Sequence, residues 1–566
     1  MKNLKKIFIK YKISGYIVPK NDEYFNEYVH SSDDRLKYIT NFSGSAGFAI
    51  ILQNKSFLFV DGRYTIQAGQ QSGNKFKIIT IPKKFPKDVI KTKKKIVIGY
   101  DPKLHTEKNL EFFFKIKNIT LKPLEYNLVD QIWKKKPKKL IKPFYTISKN
   151  ATGKTTLEKI KYIQKILIKN KIDHLLVTAP ENIAWLLNIR GYDALYSPIP
   201  NSRLLINING RSILFANPTK YKIIQKKLNK KIFCDNESKI EKYLMEINKK
   251  NIYLDSLSCS FYYKKILSKK NKIVEKIDPI HFLKSIKNFT EIRNMEKAHL
   301  IDGVALTKFL IWLKNNFKVK KITEISAQRK LENFRKMNVS YKFPSFSTIS
   351  GSGPNGAIIH YKVSQKTNRI LKRGDLYLVD SGGQYLFGTT DVTRTISLDN
   401  NSKHIKEIYT RVLKGHIAVS NFSIKNQTTG SDIDKIARKY LNKINLDYPH
   451  GTGHGVGYFL NVHEGPQSLS KKNKVKLKNG MIISNEPGYY KEGAFGIRIE
   501  NLVYIKKNKF EELTLAPIDK DLINKDILTF KEINWINSYH RKVKKCLIKF
   551  MNLREKVQLS KACSPI

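Results

Sequence analysis

Two stretches in the first half of the chain show the same order of apolar and polar positions. In each, a short apolar run predicts a buried strand. A polar and aromatic segment follows and predicts a helix, which ends at a glycine. Two further apolar runs then predict the two strands of a hairpin. The first copy lies within residues 15–60 and the second within 175–216. The order predicts that one structural plan occurs twice.

Charged sequence that contains prolines separates the two copies. The segment 133–143 is dense in lysine and includes Pro137 and Pro143, a composition typical of an exposed linker. We therefore predict a first domain over residues 1–146 and a second over 147–286.

A third domain is predicted over residues 287–566. Thr290 followed by Glu291 indicates a helix start before an amphipathic run. Near the end of the chain, a capping box from Thr529 to Glu532 predicts a further helix, in a helical extension that begins at about residue 515. We expect this extension to pack on the core of the third domain or on a partner subunit.

The composition allows several hydrophobic cores, because 41% of the 566 residues are hydrophobic. A formal net charge of +59 would ordinarily indicate a nucleic-acid or membrane partner. The excess is lysine, spread from Lys2 to Lys561 beside abundant isoleucine and asparagine, as expected of A/T-rich codons. We therefore expect solvated lysine faces and no nucleic-acid partner.

The N-terminal sequence has no uninterrupted apolar run and no small-residue cleavage site, and no later stretch is apolar enough to span a membrane. The four cysteines are scattered and form no C-x-x-C pair, so free thiols in a reducing compartment are expected. These features predict a cytoplasmic protein without a membrane partner.

Candidate metal ligands occur in order through the last third of the chain. Each lies in strand-like or glycine-rich sequence, and the set is Asp380, Asp391, His454, Glu486 and Glu500. Four carboxylates are costly to gather in a core without a cation, whereas two divalent ions balance their charge. The set predicts a two-metal hydrolase.

The two aspartates are expected on neighbouring strands. The apolar run 376–380 ends in Asp380, and a second predicted strand, 391–397, begins with Asp391. The glycine-rich sequence between them suits a hairpin that brings both carboxylates side by side. If the pair stood alone, a turn-capping Asp380 and a surface Asp391 would be the better interpretation.

Histidines are concentrated in the next glycine-rich stretch. Residues 450–457 contain four glycines with His450 and His454, and His463 follows, so three of the 12 histidines of the chain lie close together. Such a backbone permits close approach to a ligand. The density favours a functional role for these histidines over a structural one.

The last two carboxylates lie near predicted strand ends. Glu486 follows an apolar run and precedes Pro487, where the backbone must turn. Two-residue alternation places Arg498 and Glu500 on one face of a strand, so the arginine is expected beside a metal ligand.

The chemistry follows from the ligand types. Hard carboxylates with one imidazole favour Mn²⁺, with Co²⁺ and Zn²⁺ as alternatives. Two ions roughly 3.5–4 Å apart share a water and lower its pKa toward ~7. One ion polarises a carbonyl while a histidine stabilises the oxyanion, so the residues predict hydrolysis of an amide.

Several motifs resemble the metallopeptidase family of the pita-bread fold, which contains methionine aminopeptidase, prolidase and aminopeptidase P. The motifs are Gly353-Pro-Asn-Gly-Ala-Ile-Ile-His-Tyr361, Asp380-Ser-Gly-Gly-Gln-Tyr385, Thr389-Thr-Asp-Val-Thr-Arg-Thr395, His450-Gly-Thr-Gly-His-Gly-Val-Gly457, Asn461-Val-His-Glu-Gly-Pro466, Glu486-Pro-Gly-Tyr-Tyr490 and Gly496-Ile-Arg-Ile-Glu-Asn501. The likeness runs nearly end to end, is strongest between 343 and 501, and is close to the three-domain Xaa-Pro aminopeptidases.

This resemblance implies a fold class and residue roles. The fold is two creatinase N-terminal-like α/β domains, each a mixed sheet with helices, followed by an α+β pita-bread domain around a curved antiparallel sheet, in a homodimer. The implied metal ligands are Asp380, Asp391, His454, Glu486 and Glu500. The implied catalytic residues are His360, His463, Glu486 as proton shuttle and Arg498, and the implied substrate contacts are His360, His450 and His463.

The implied activity is hydrolysis of the N-terminal Xaa-Pro bond of peptides. The nearest alternative is prolidase, which cleaves Xaa-Pro dipeptides, although two successive N-terminal domains favour the longer substrate. A second alternative is an inactive member of the fold that binds peptide or RNA, which the presence of all five ligands argues against. Gly383 and the lysine content depart from the pattern of the family without altering a ligand.

Overall fold

The computed structural model describes all 566 residues and divides into two compact units, Met1–His281 and Phe282–Ile566. The helix Pro279–Ser285 contains the division. All four cysteines are free thiols, as expected. None of the helices combines the length and the apolar composition that crossing a lipid bilayer requires.

The first unit contains two six-stranded mixed sheets of the same topology. The first sheet, in spatial order, consists of Lys77–Ile81, Ser56–Asp61, Phe48–Leu52, Gly15–Pro19, Ile96–Tyr100 and Ile119–Pro123. The second consists of Ile232–Asn236, Ser212–Ala216, Arg203–Asn207, His174–Val177, Asn251–Asp255 and Lys272–Lys276. In both sheets the first three strands in chain order pair antiparallel with one another. All other neighbouring pairs in each sheet are parallel. The repeat predicted from the hydrophobic pattern is confirmed.

Helices connect and cover these sheets. They are Lys2–Lys6, Arg35–Thr40, Thr65–Ser72, Pro86–Val89, Glu107–Phe114, Leu128–Ile132, Lys149–Thr152, Thr156–Lys169, Pro180–Leu187, Pro218–Tyr221, Ile240–Glu246 and Phe261–Ser268. The 3₁₀ turn Glu237–Lys239 and a small ladder between Tyr145–Thr146 and Ile189–Arg190 complete the unit. Parallel strand pairs require such crossover connections.

The second unit is built on antiparallel ladders. One sheet orders Ile349–Ser352, Leu376–Ser381 and Val392–Ser397, and a second orders Glu464–Leu469, Gly453–Gly455, Ile482–Asn485, Asn501–Lys506 and Lys509–Glu512. Smaller ladders join Tyr341–Pro344 to Gly383–Tyr385 and Gly388–Thr389, and Gly488–Lys491 to Phe495–Arg498. The helices are Phe289–Asn316, Glu324–Lys336, Lys403–Ser420, Gly430–Asn442, Phe530–Leu547 and Leu553–Ala562, with 3₁₀ turns at Gly353–Ala357, Lys520–Leu522, Lys525–Ile527 and Ile548–Phe550.

The first long helix of this unit begins earlier than predicted. Its N-cap is Asn288, whose side chain accepts a hydrogen bond from the backbone N–H of Glu291, while the Glu291 carboxylate accepts one from the Asn288 N–H. Thr290 is therefore inside the helix, and its prediction as the start was wrong. Asparagine is as effective an N-cap as threonine, and only Asn288 has the acid three positions later that closes a capping box.

The C-terminal extension packs on the core of its own unit. The predicted capping box is confirmed, since the Thr529 side chain accepts from Glu532 N–H and the helix Phe530–Leu547 follows. This helix buries Ile536, Val543 and Leu547 in one hydrophobic cluster with residues of the helix Lys403–Ser420. The extension therefore belongs to the hydrophobic core that supports the sheets.

His540 is a buried histidine of this C-terminal helix. Its Nε2 accepts a hydrogen bond from the backbone N–H of Ile518 at 3.1 Å, which requires the neutral ring. Burial, followed by the positive charges of Lys520 and Arg394, lowers the pKa of His540 to about 4. Folding therefore opposes protonation of this side chain.

Acid should destabilise the protein through His540. Between pH 6.5, the ordinary pKa, and about 4 in the fold, the unfolded chain binds more protons than the folded one. The free energy of unfolding should fall as the pH falls through this window, by up to about 3 kcal/mol from this residue. His540→Gln keeps an acceptor for Ile518 and should flatten that slope in urea unfolding measured at several pH values. A slope as steep as that of the wild type would contradict the assignment.

Candidate metal centre

The two aspartates lie on neighbouring antiparallel strands. Asp380 is in Leu376–Ser381, which pairs with Val392–Ser397, and Asp391 directly precedes the second of these strands. In the register, Asp380 faces Thr393, so the two carboxylates are offset by two positions rather than directly opposite. The two predicted strands are therefore neighbours in the sheet.

Three of the predicted ligands converge on one point. The ligand atoms of Asp391, His454 and Glu500 all lie within 4.8 Å of one another. His454 Nε2 is 3.4 Å from Asp391 Oδ2 and 3.5 Å from Glu486 Oε1. The structure therefore brings together side chains that are separated by more than a hundred positions in the sequence.

The glycine-rich strand Gly453–Gly455 brings His454 close to Glu486. A Cβ atom on Gly453 would lie 1.8 Å from the carbonyl oxygen of Ser484, so only glycine allows the two backbones to approach this closely. The backbone N–H of His454 donates to Ser484 Oγ at 2.9 Å, and that hydroxyl donates to Glu486 Oε1 at 3.1 Å. Ser484 thus fixes both side chains relative to each other.

Arg498 connects the remaining aspartate to the group. Its Nη2 donates to Asp380 Oδ2 at 2.6 Å, and its Nε donates to Thr393 Oγ1 at 3.0 Å. The Thr393 hydroxyl in turn donates to Glu500 Oε2 at 2.7 Å. Arg498 is 2% exposed, so these charge-assisted bonds are made away from water. The expectation that Arg498 and Glu500 alternate along one strand was wrong, because that strand ends at Arg498 and the next begins at Asn501. The arginine nevertheless lies near Glu500, with the Thr393 hydroxyl between them.

The carboxylates of the group repel one another. Burial, and then the charges of Asp391 and Glu486, raise the pKa of Asp380 to about 7 against the opposing charge of Arg498. Burial, and then the charges of the neighbouring carboxylates of Asp391 and Glu486, raise the pKa of Glu500 well above its ordinary range. Asp380 Oδ1 is moreover buried without a hydrogen-bond partner. A divalent cation would supply the missing partner and offset the repulsion, so the donor set fits metal ions.

His454 experiences the same negative potential. Burial lowers its pKa, but the hydrogen bond to Asp391 and the charge of Glu486 outweigh burial and raise the pKa to about 9. For Glu486, burial is outweighed by the charges of His454 and His450, so its pKa is lowered. A potential that attracts a proton also attracts a cation, and a bound cation would displace that proton.

Two of the three predicted substrate histidines lie beside the ligands. The rings of His463 and His454 are edge to face, with centroids 4.3 Å apart. His450 Nε2 accepts from the Tyr490 hydroxyl at 2.8 Å, and Tyr490 accepts from Arg498 Nη1 at 2.6 Å. Burial lowers the pKa of His450 to about 4, so this ring is neutral near pH 7.

His360, the third histidine, lies on a different segment. It is partly exposed and follows the 3₁₀ turn Gly353–Ala357. That turn packs against the strand Phe495–Arg498, where a Cβ atom on Gly496 would lie 1.8 Å from the carbonyl oxygen of Gly356. The segment with His360 is thus fastened to the strand that carries Arg498.

Buried charged groups near His450 and His463 were missed by the sequence analysis. Glu464, next to His463, accepts from the ammonium groups of Lys284, at 3.1 Å, and Lys287, and all three side chains are nearly inaccessible to water. Arg438 pairs with Asp434 and donates to the carbonyl oxygen of His450. Lysine is so abundant that Lys284 and Lys287 carried no signal in the sequence, although Glu464 lies in the motif Asn461-Val-His-Glu-Gly-Pro466.

Profiles of known families match nearly the whole chain. The profile of metallopeptidase family M24 matches residues 293–507, and that of the C-terminal region of peptidase M24 matches 507–566. The creatinase/prolidase N-terminal domain matches twice, at residues 1–129 and 135–291.

Named relatives agree with the profiles. Xaa-Pro aminopeptidase 1 of Dictyostelium discoideum is 38% identical over 573 residues, which cover 94% of this chain and 90% of that protein. The crystal structure of X-prolyl aminopeptidase from Caenorhabditis elegans, described as a cytosolic enzyme with a di-nuclear active site, matches with a TM-score of 0.92 at 29% identity and covers 100% of this chain and 99% of that one. The prolidase of Pyrococcus horikoshii matches with a TM-score of 0.53 at 28% identity and covers 64% of this chain and 99% of that one.

Proposed function

Because the chain belongs to metallopeptidase family M24, we propose that it is a metal-dependent aminopeptidase that hydrolyses the N-terminal Xaa-Pro bond of peptides. The observation that carries the proposal is the convergence of Asp391, His454 and Glu500. Glu486 lies 3.5 Å from His454, and Asp380 is linked to Glu500 through Arg498 and Thr393. Relatives that match 94% and 100% of this chain bear the name of that activity.

The fold expected from the sequence is the fold of the protein. Two creatinase N-terminal-like α/β domains precede a pita-bread domain of antiparallel sheets and helices. We place the domains at residues 1–146, 147–286 and 287–566, with a C-terminal helical extension from about residue 515. A homodimer in the cytoplasm is part of the proposal, and the cytosolic description of the relative from Caenorhabditis elegans supports the location.

The residues that would hold two divalent ions are the five predicted ligands. Oxygen donors with a single imidazole favour Mn²⁺ over softer ions. When bound, such a pair of ions supplies polarisation of the scissile carbonyl and a water acidic enough to be the nucleophile near neutral pH.

Glu486 and the side chains around the ligands then have distinct tasks. Glu486 takes a proton from the attacking water and gives it to the departing proline nitrogen. His463 and His360 donate hydrogen bonds to the substrate carbonyl oxygen as negative charge develops on it. Arg498 orients the Asp380 carboxylate, and His450, neutral and held by Tyr490, lines the peptide site.

Selectivity for proline has a simple physical basis. The Xaa-Pro bond has no N–H to donate, and the pyrrolidine ring fixes φ of the proline. Enzymes that rely on that N–H or on an adaptable backbone lose binding energy with such substrates. The prolidase alternative is less favoured, because the solved prolidase corresponds to only 64% of this chain.

The purified protein with Mn²⁺ should release free arginine from the tripeptide Arg-Pro-Pro. Chelation of the metal should lower the rate by about 100-fold or more, and added Mn²⁺ should restore it, because the ions supply both the nucleophile and the carbonyl polarisation. Arg-Ala-Ala is the matched control and should be a poor substrate. Cleavage confined to the dipeptide Arg-Pro would favour prolidase, and tight RNA binding without bound metal would favour the inactive alternative.

A further inference from the structure

The segment from Ser352 to Arg369 carries His360 and has little regular structure. After the 3₁₀ turn Gly353–Ala357 the chain follows turns and irregular conformations until the strand Leu376–Ser381 begins. A side chain on such a segment is held in a productive geometry only if the segment itself is anchored by other parts of the fold.

One buried carboxylate, that of Glu324, accepts hydrogen bonds from both ends and from the middle of this segment. At its ends, the backbone N–H groups of Ser352 and Arg369 donate at 2.7 Å and 3.0 Å. Between them, Asn355 Nδ2 donates at 3.0 Å and the Tyr361 hydroxyl at 2.9 Å. Glu324 is 0% exposed, so water does not compete for these donors.

Glu324 is itself fixed to a rigid element. It is the first residue of the helix Glu324–Lys336, where a carboxylate is favoured by the helix dipole. Its backbone N–H donates to the carbonyl oxygen of Arg369 at 3.0 Å, and its own carbonyl oxygen accepts from Ser350 Oγ at 2.8 Å. Backbone and side chain of one residue thus tie the segment to the start of a helix.

We propose that Glu324 is the positioning residue for His360, an inference that rests on the proposed function because that function gives His360 its task. Tyr361, which donates to Glu324, is the next residue after His360, so any shift of Tyr361 displaces the histidine. The stretch before His360 is also held by the close approach of Gly356 to Gly496. Glu324 acts on the reaction only through the place it gives to His360.

The test is a double-mutant cycle on the cleavage of Arg-Pro-Pro in the presence of Mn²⁺. Both carboxylate oxygens of Glu324 accept at least two bonds, so Glu324→Gln turns an amide NH₂ toward a donor in either orientation. We expect kcat/KM to fall by about 100-fold, the cost of a misplacement of about 1 Å. In the His360→Ala background the same change should alter kcat/KM by less than about twofold, because the effect passes through His360.

Two further measurements separate positioning from general damage. Hydrogen exchange of residues 352–369 should become faster in Glu324→Gln and stay unchanged elsewhere in the second unit. Glu532→Gln is the matched control, since Glu532 is a buried capping glutamate whose bonds go to Thr529 and Lys414. It should leave kcat/KM and the exchange of 352–369 unchanged.

The outcomes are distinct. Effects of Glu324→Gln and His360→Ala that multiply, or unchanged exchange of 352–369, would overturn the positioning role. A wild-type protein that does not cleave Xaa-Pro bonds would defeat the proposed function, and the exchange measurement would still decide whether Glu324 anchors the segment. If Glu324→Gln does not fold, Tyr361→Phe can replace it in the double-mutant cycle, because it removes one of the four donors to Glu324. Multiplying effects with His360→Ala, or unchanged exchange of 352–369, would again overturn the positioning role.

Discussion

Replacing Glu486 by alanine should lower kcat for Xaa-Pro peptides by about 10³-fold or more. One carboxylate is proposed both to bind metal and to carry the proton from the attacking water to the proline nitrogen, and alanine removes both contributions. The measurement is kcat on Arg-Pro-Pro with saturating Mn²⁺, together with the metal content of the variant. Near-normal turnover would mean that the proton shuttle is a different residue.

The fold should survive this substitution. The Glu486 side chain is 18% exposed, and its repulsion of Asp380 and Glu500 is opposed by its attraction to His454 and His450, which lowers its own pKa against the effect of burial. The metal-free variant should therefore still unfold in one cooperative thermal transition, at a temperature somewhat below that of the wild type. Glu486→Gln is the matched control, because it keeps the shape and one metal-binding oxygen but cannot take a proton, and it should lose turnover with a smaller loss of metal.

The elements that the sequence predicted well are those set by local patterns. Short apolar runs located three of the six strands in each mixed sheet of the first unit, and the capping box at Thr529 located the C-terminal helix. The start of the first helix in the second unit was misplaced because Thr290 and Asn288 both suit an N-cap, although Asn288 alone is followed three positions later by a glutamate, to whose backbone N–H it bonds in the structure. Local signals identify elements more reliably than their ends.

The site residues could be predicted because they lie in short glycine-rich motifs. The residues that hold them in place, such as Glu324, lie in sequence without such a motif. Asp380, His454 and Glu500 lie in sequences whose composition makes sense only near a ligand. Glu324 is an ordinary first-turn acid in the sequence, and its four donors are contributed by residues 28 to 45 positions away. Such tertiary bonds leave no periodic trace, because each donor is a backbone N–H or a common polar side chain.

The three predicted substrate histidines share one structural arrangement. Each lies on an irregular or glycine-rich stretch, and a buried charged residue binds the backbone or a side chain at or next to the histidine. Glu324 binds Tyr361 beside His360, Arg438 binds the carbonyl oxygen of His450, and Lys284 and Lys287 bind Glu464 beside His463. Glycine-rich or irregular backbone permits close approach to a ligand, and the buried charges supply the fixed positions that precise hydrogen bonding requires.

Removing the Glu464 carboxylate should destabilise the second unit by about 3–5 kcal/mol, since Glu464→Ala leaves two buried ammonium groups without their acceptor. Burial lowers the pKa of Lys287 despite the opposing charge of Glu464, whereas the two lysines lower the pKa of Glu464 against the effect of burial. The ionised carboxylate therefore offsets part of the cost of burying the ammonium groups. Urea unfolding of the metal-free protein measures the loss. A change smaller than about 1 kcal/mol would mean that water reaches the lysines once the carboxylate is gone.

A triple variant separates the stability of this group from its positioning effect. Lys284→Met, Lys287→Met and Glu464→Met together replace the buried charges by apolar side chains of similar length, which is often neutral or stabilising. If the charges serve to hold His463 beside His454, the triple variant should unfold at a urea concentration no lower than that of the wild type and still lose kcat. Full activity in a stable triple variant would show that packing alone places His463, and that the ion pairs contribute nothing to its position.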